Sequence, residues 1–353
     1  MKRCLRLAAR AAGKTSPNPM VGALLYKDGR VISEAYHKKA GTPHAEPLAI
    51  DKAGEQARGS TLFVTLEPCC HTGKRTPPCT ERIISAGIKD VCIAMLDPNP
   101  KVAGNGVRIL NNHGIKTEVG IVKEQALALN EFYIKYITTG LPFVILKSAM
   151  TLDGKTATPD GVSKWISSEK SRLLVHKLRS SVDAVVTAIG TVKADNPRLT
   201  ARIKGGKNPI RVVIDPQFET PPDFNVMATP PKTIFVIHRG GIPETRPQGD
   251  IDYLCYDSSK VDMRWLMAEL GRREIASVLI EGGPSLAGYA VSAGVVDKIM
   301  VFVAPKIVGG PGVYTPVGGN TFLPLDVAHK VYGIKSKKIG TDLLIEGYFN
   351  KKL

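Results

Sequence analysis

Two α/β domains in tandem are what this sequence predicts. Three observations carry the expectation. The chain has 353 residues, more than one hydrophobic core ordinarily holds. Short apolar runs alternate with helix-patterned segments through both halves. The longest helical segment, 125–139, ends in Gly140-Leu141-Pro142, a stop and a restart. We therefore expect one domain over 1–140 and a second over 143–353.

In the first domain, 5–12 reads as a helix, and 21–26 and 31–36 as short strands. Lys27-Asp28-Gly29-Arg30 between them is a hairpin turn signal. A helix follows over 45–53 and a buried strand over 62–66. The segment 81–86 reads as a helix stopped by Gly87, 91–95 as a strand, and 107–112 as a helix closed by His113-Gly114. The second domain opens on a strand over 143–148 and a helix over 169–178. Strands fit 184–188, 210–214 and 233–237, and a helix at 263–272 leads into a strand at 277–280. Glu281-Gly282-Gly283-Pro284 turns into a helix near 286–292, and 299–303 is a late strand. Stretches rich in Pro and Gly near 205, 220–231 and 309–319 read as loops.

Composition narrows the function classes. With 43% apolar and 23% charged residues the chain is an ordinary globular protein, not a disordered one. No apolar run is long enough to cross a bilayer. Arg6 and Arg10 interrupt the apolar N-terminal stretch, so it reads as a basic amphipathic helix of a cytoplasmic protein and not as a signal peptide. The net charge of +16 is spread through both halves. It suits a solvated surface or anionic small molecules better than nucleic acid, for which no binding motif accompanies it. Of six cysteines (Cys4, Cys69, Cys70, Cys79, Cys92, Cys255) three crowd into one short segment, which favours a metal over a disulfide framework.

That segment follows His44-Ala45-Glu46 and reads Glu67-Pro68-Cys69-Cys70, then Pro77-Pro78-Cys79. One imidazole and two thiolates, His44, Cys69 and Cys79, make a three-ligand zinc site with a fourth position open to water. Zinc lowers the pKa of such a water. Glu46, two residues from the His ligand, can carry its proton to a leaving amine. Cys79 opens a helix, where the N-terminal dipole favours thiolate. The zinc deaminases of nucleobases combine these parts as H-x-E with a later P-C-x-x-C. A structural zinc closed by Cys70, His71 or His37 is the alternative, but it would leave Glu46 without a task.

The loop between the cysteines, Cys69-Cys70-His71-Thr72-Gly73-Lys74-Arg75-Thr76-Pro77-Pro78-Cys79, resembles that of the riboflavin-biosynthesis deaminases, Pro-Cys-x-His-x-Gly-Lys/Arg-Thr-Pro-Pro-Cys. It is one residue longer, which leaves Cys69 and Cys70 as alternative first ligands; we take Cys69, directly after Pro68. Ser16-Pro17-Asn18-Pro19-Met20-Val21-Gly22-Ala23 and Asp97-Pro98-Asn99-Pro100-Lys101-Val102-Ala103-Gly104-Asn105-Gly106 resemble two further segments of that family. The resemblance implies a three-layer αβα fold like cytidine deaminase. Asn18, His37, His71 and Asn99 would touch substrate, the asparagines through amides suited to a pyrimidine edge. Lys74 or Arg75 would meet its phosphate.

No G-x-G-x-x-G fingerprint supports a Rossmann domain in the second half. Lys147-Ser148-Ala149-Met150-Thr151-Leu152-Asp153-Gly154-Lys155 resembles the opening of the riboflavin-specific reductases, which share the dihydrofolate reductase fold. Ser163 to Ser168, Gly190 to Pro197, Leu199 to Arg202, Glu281-Gly282-Gly283 and Val303 to Lys306 match as well, so the resemblance spans nearly the whole chain. It implies NADPH contacts from Ala149, Trp165, Thr191, Asp195 and the turn Gly283, Pro284, Ser285, Leu286, Ala287, Gly288, Tyr289. It implies substrate contacts from Ser163, Arg179, Leu199, Arg202 and Glu281, with Arg179 and Arg202 suited to a sugar phosphate. The expected protein is thus a bifunctional deaminase and reductase using Zn2+ and NADPH. Its partner is a phosphorylated pyrimidine, not nucleic acid or a membrane, and a homo-oligomer is the expected assembly. A nucleic-acid-acting zinc deaminase and a zinc-stabilised, non-catalytic binding protein are the alternatives.

Overall fold

A computed structural model describes residues 1–71, 77–228, 230–241, 249–310, 314–319 and 323–351. The chain divides into two compact units, residues 1–140 and 141 onward.

The first unit contains α1 (Lys2–Ala8), β1 (Gly22–Lys27), β2 (Arg30–Tyr36), α2 (Ala45–Ala53), β3 (Thr61–Val64), α3 (Cys79–Ser85), β4 (Asp90–Ile93), α4 (Asn105–Asn112), β5 (Lys116–Val119), α5 (Lys123–Leu129) and α6 (Glu131–Thr139). Its sheet runs β2-β1-β3-β4-β5. The first three strands pair antiparallel and the last three parallel. Asp28 and Gly29 both have positive φ (48° and 77°), which is the turn that lets β1 and β2 keep their right-handed twist. Leu25, Leu62, Ile83, Ile93 and Leu110 are fully buried where the helices cover the sheet.

Two expectations fail here for identifiable reasons. The single helix expected over 125–139 is two helices, α5 and α6, broken at Asn130. The Asn130 side chain donates to Met20 O (3.1 Å) and accepts Met20 N–H (2.8 Å). A short amide that finds a backbone partner elsewhere competes with helix continuation. Strand β5 was not expected because its Lys-Thr-Glu-Val sequence is largely exposed at the sheet edge.

The second unit contains β6 (Phe143–Thr151), α7 (Glu169–Ser181), β7 (Ala184–Ala188), α8 (Ile189–Asp195), β8 (Ile210–Ile214), β9 (Thr233–His238), β10 (Ile251–Tyr256), α9 (Met263–Arg272), β11 (Ser277–Glu281), α10 (Pro284–Ser292), β12 (Lys298–Ala304), β13 (Tyr332–Ile339) and β14 (Asp342–Tyr348). Nine strands form one sheet in the order β10-β9-β8-β7-β11-β6-β12-β14-β13. The strands from β10 to β12 pair parallel, and β14 and β13 close the edge antiparallel. The central strands read as continuous apolar runs because both faces are buried. Strands β10 and β13, the two edges, and β14 were missed, and so was α8. In β13 six consecutive residues are exposed and three are lysines, a composition that suits an edge guarded against further pairing.

Helix α7 is capped by Ser168, whose hydroxyl accepts the Ser171 N–H, and it runs three residues past the expected end. Strand β11 extends to Glu281, and α10 starts at Pro284, its first turn carrying the proline that tolerates that place. No helix among the described residues is long and apolar enough to cross a membrane.

Candidate active sites

In the first unit His44 is the N-cap of α2, Cys79 is the first residue of α3, and Cys69 lies in the loop beyond β3. The ligand atoms of the three all lie within 4.8 Å of one another. His44 Nδ1 is 3.2 Å from Cys79 Sγ and 3.5 Å from Cys69 Sγ. Zn–S bonds of about 2.3 Å and Zn–N bonds of about 2.0 Å in a tetrahedron separate ligands by roughly 3.5–3.8 Å, so both the donors and their spacing fit zinc. Cys70 stands outside this group and is only half-buried.

The electrostatics are those of a thiol pair ready to give up a proton. The hydrogen bond from Cys79 holds the Cys69 thiol down, to about 3, and His44 adds to the effect. The same bond, with burial, pushes the Cys79 thiol well above its usual range. A cation that binds both sulfurs displaces the remaining proton. Glu46, in the first turn of α2, is 3% exposed. Burial, then the Cys69 charge, raises its carboxyl to about 6. Its Oε2 has no hydrogen-bond partner among the described residues. That is the state expected of a proton carrier and costly for a group with no task.

His37 is brought to the same place, its ring centroid 5.4 Å from that of His44. Its Nδ1 lies 3.1 Å from Pro43 O, and burial lowers its pKa, so the ring is neutral at pH 7. Asn99 sits in a tight loop, its backbone N–H donating to Asp97 Oδ1 and its own Oδ1 accepting from Lys101 N. Tyr133 donates to that same Asp97 oxygen at 2.7 Å. Asn18 is exposed in the turn before β1, its N–H bonded to Thr15 O. His71 follows Cys70 directly, and Lys74 and Arg75 lie outside the described residues.

In the second unit the expected residues gather at the ends of the central parallel strands, where open α/β sheets bind ligands. Gly283, the N-cap of α10, donates its N–H to Thr191 Oγ1 at 3.1 Å, which joins two of the residues assigned to the cofactor. Asp195 closes α8 and pairs with Lys164 at 3.0 Å. Trp165 is 62% exposed, with the Arg172 guanidinium 4.5 Å over its ring. A cavity of about 150 Å³ is lined by Ser163, Lys164, Trp165, Thr151, Lys155 and Lys306 among others. Ala149 lies on β6 beside β12, opposite Phe302.

The turn into α10 is more specific than its sequence suggested. Leu286 and Ala287 are buried in the core, and the Tyr289 hydroxyl donates to Val261 O at 2.6 Å. What the turn offers a ligand is therefore its first backbone N–H groups. Ser285 sits within that first turn. Gly288 is required by contact: a Cβ there would lie 1.6 Å from Gly318 O.

Arg179 is held by partners of its own. Its Nε and Nη2 donate to both oxygens of Glu281 at 2.7 and 2.8 Å, and its Nη1 donates to Thr200 O at 3.2 Å. The fork that suits a phosphate is occupied by Glu281. Thr200 lies between Leu199 (φ 53°) and Arg202 (φ 48°), so Arg179 anchors the segment that presents them. Arg202 is exposed, and its charge is opposed by Arg179 and Arg198 after burial.

Similarity to known proteins follows the same division. Residues 1–95 match the cytidine and deoxycytidylate deaminase zinc-binding region, and residues 142–345 match the RibD C-terminal domain. The riboflavin biosynthesis protein RibD of Actinobacillus pleuropneumoniae is 41% identical over 352 residues, 98% of this chain and 93% of its own. The chain belongs to the RibD family. RibD of Escherichia coli is 40% identical over 88% of each chain. The crystal structure of a diaminohydroxyphosphoribosylaminopyrimidine deaminase/5-amino-6-(5-phosphoribosylamino)uracil reductase from Thermotoga maritima superposes with a TM-score of 0.89. It shares 39% identity and covers 99% of this chain and 97% of its own. RibD of Acinetobacter baumannii gives 0.87 at 34% identity, covering 98% and 97%. This chain is a zinc deaminase and an NADPH-dependent reductase of riboflavin biosynthesis, acting on a small pyrimidine. Its folds are those of cytidine deaminase and dihydrofolate reductase.

Three residues around these sites escaped the sequence reading. Lys147 lies opposite Glu281 in the β6–β11 pairing, and burial lowers its pKa against the pull of that carboxylate. His176 stands one turn before Arg179 on α7, close to Thr200, Arg202 and Glu281. Glu67 is buried two residues before Cys69. Lys147 and Glu67 both stood inside motifs already singled out, so the signal was present without a partner to give it meaning.

Proposed function

We propose that His44, Cys69 and Cys79 hold the zinc ion and that Glu46 carries protons in the deamination of 2,5-diamino-6-(5-phosphoribosylamino)pyrimidin-4-one. The observation that carries this is the partnerless Glu46 oxygen buried beside a three-donor centre. When bound, zinc would act as a Lewis acid that activates a water. Glu46 takes a proton at its free oxygen and returns it to the departing amine, so that ammonia leaves. Neutral His37 and the amides of Asn18 and Asn99 hold the pyrimidine edge, with His71 from the cysteine loop, and Lys74 or Arg75 meets the substrate phosphate.

In the reductase, Ala149, Trp165, Thr191, Asp195 and the 283–289 turn hold NADPH. When bound, NADPH would supply the hydride for reduction of the ribosyl group to ribityl, with a proton going to the released ring oxygen. Ser163, Leu199 and Arg202 contact substrate, with Arg202 at the phosphate, while the Arg179–Glu281 pair fixes their segment and faces the sugar. The product of the first activity is thus the substrate of the second. The same reading has a phosphorylated small molecule as partner and no nucleic acid. It puts the enzyme in the cytoplasm, where NADPH is made, as a homo-oligomer; exposed Ile334 and Leu343 on the outer strands support the last point.

The test is the zinc content of Cys69→Ser and Cys70→Ser. Cys69→Ser is expected to lose the metal and ammonia release together, and Cys70→Ser to keep both. The reverse pattern would move the ligand to Cys70.

A further inference from the structure

A carboxylate that the deaminase chemistry does not use is buried beside the metal centre. Glu67 is 2% exposed and stands two residues before Cys69. Its Oε2 accepts the backbone N–H of Asp97 at 3.1 Å and of Gly104 at 2.9 Å. Its Oε1 accepts the N–H of Val107 at 3.1 Å. One side chain therefore ties together both ends of the loop 97–107, which presents Asn99. Its backbone N–H donates to Met95 O at 3.0 Å, so the strand end before the loop is held as well.

Only a carboxylate meets this demand. Three donors converge on two oxygens, and a carboxylate is acceptor on both. An amide would turn an NH2 toward at least one of those N–H groups, leaving a buried donor facing a donor. The approach of the two segments is close: a Cβ at Gly106 would lie 2.3 Å from Pro68 O and 3.1 Å from Glu67 Oε1. Beyond this anchor the loop is ordered by Asp97, whose Oδ1 accepts Asn99 N at 2.9 Å and the Tyr133 hydroxyl at 2.7 Å.

We propose that Glu67 is a positioning residue for deamination, bolting the Asn99 loop to the segment that carries Cys69 and so setting where the pyrimidine edge meets the metal. This rests on Asn99 contacting substrate and Cys69 binding zinc. Glu67 itself touches neither.

The test uses the full zinc-loaded chain as wild type, Glu67→Gln, Asn99→Ala and the double variant. Ammonia release is followed against substrate concentration, zinc is measured in each preparation, and NADPH oxidation on supplied deaminated intermediate reports the folding of the rest. Glu67→Gln is expected to keep its zinc and its reductase rate while KM for deamination rises about tenfold to a hundredfold, the cost of a mispaired buried amide. The double variant is expected to show little more than the larger single effect, because both act through one loop. Gly106→Ala, which pushes on the same contact from the other side, is expected to raise KM in the same way and stands in if Glu67→Gln does not fold. Zinc falling in step with the rate in Glu67→Gln, or effects that multiply in the double variant, would overturn the proposal. A KM effect in Asn99→Ala with none in Glu67→Gln overturns it alone; no effect in Asn99→Ala overturns the reading of Asn99 as well.

Discussion

Replacing Glu281 by Gln removes the charge from a deeply buried ion pair of the second unit. The Arg179 and Glu281 side chains are 11% and 10% exposed and share two hydrogen bonds. Lys147 also leans on that carboxylate, since Glu281 opposes the burial that lowers its pKa. Breaking a buried pair by deleting one partner costs about 3–5 kcal/mol, because the other charge is left uncompensated. Glutamine keeps one acceptor, so we take the lower end, about 3 kcal/mol. For a unit of this size that lowers Tm by roughly 6–12 °C. Both tryptophans, Trp165 and Trp265, lie in the second unit, so tryptophan fluorescence follows its melting and not that of the deaminase. Arg179 holds the Glu281 carboxyl below its ordinary value against the effect of burial. A depressed acid stabilises above its unfolded pKa, about 4.3, and loses that contribution as pH falls through the folded value. The gap between wild type and Glu281→Gln should therefore be constant near neutrality and close below about pH 4. Adding Lys147→Met to Glu281→Gln should recover part of the loss, because one stranded cation is gone. A Tm change under about 2 °C, or a gap that widens in acid, would refute the reasoning.

Two further outcomes test the cofactor site. Gly288→Ala must displace backbone, since its Cβ falls 1.6 Å from Gly318 O; a loss of about 1–3 kcal/mol in stability and a higher KM for NADPH are expected, measured by melting and by initial rates. Trp165→Ala is expected to raise KM for NADPH with little change in Tm, because the ring is 62% exposed and packs mainly on Arg172.

What the sequence made legible were features whose logic is local. His44, Glu46, Cys69 and Cys79 are recognisable because the metal dictates their chemistry, and α2 and α9 because one end of each has a local signal, Gly54 after α2 and the Asp262 cap before α9. The misses are long-range. Asn130 breaks a helix for the sake of Met20, 110 positions away in sequence. Arg179 is paired with Glu281, 102 positions later in sequence, a partnership its own segment does not announce. Strand β13 is a polar edge whose pairing is decided by the sheet it joins, so its own residues carry a weak signal.

The measurement that tests the account most directly follows ammonia and NADPH together on wild type and Glu46→Gln, with zinc quantified in both. The account predicts that the variant keeps its zinc, loses about 100-fold or more in ammonia release, and oxidises NADPH at the wild-type rate once deaminated intermediate is supplied. A zinc-replete Glu46→Gln that still releases ammonia at the wild-type rate, or one whose NADPH oxidation is not restored by the intermediate, would contradict it.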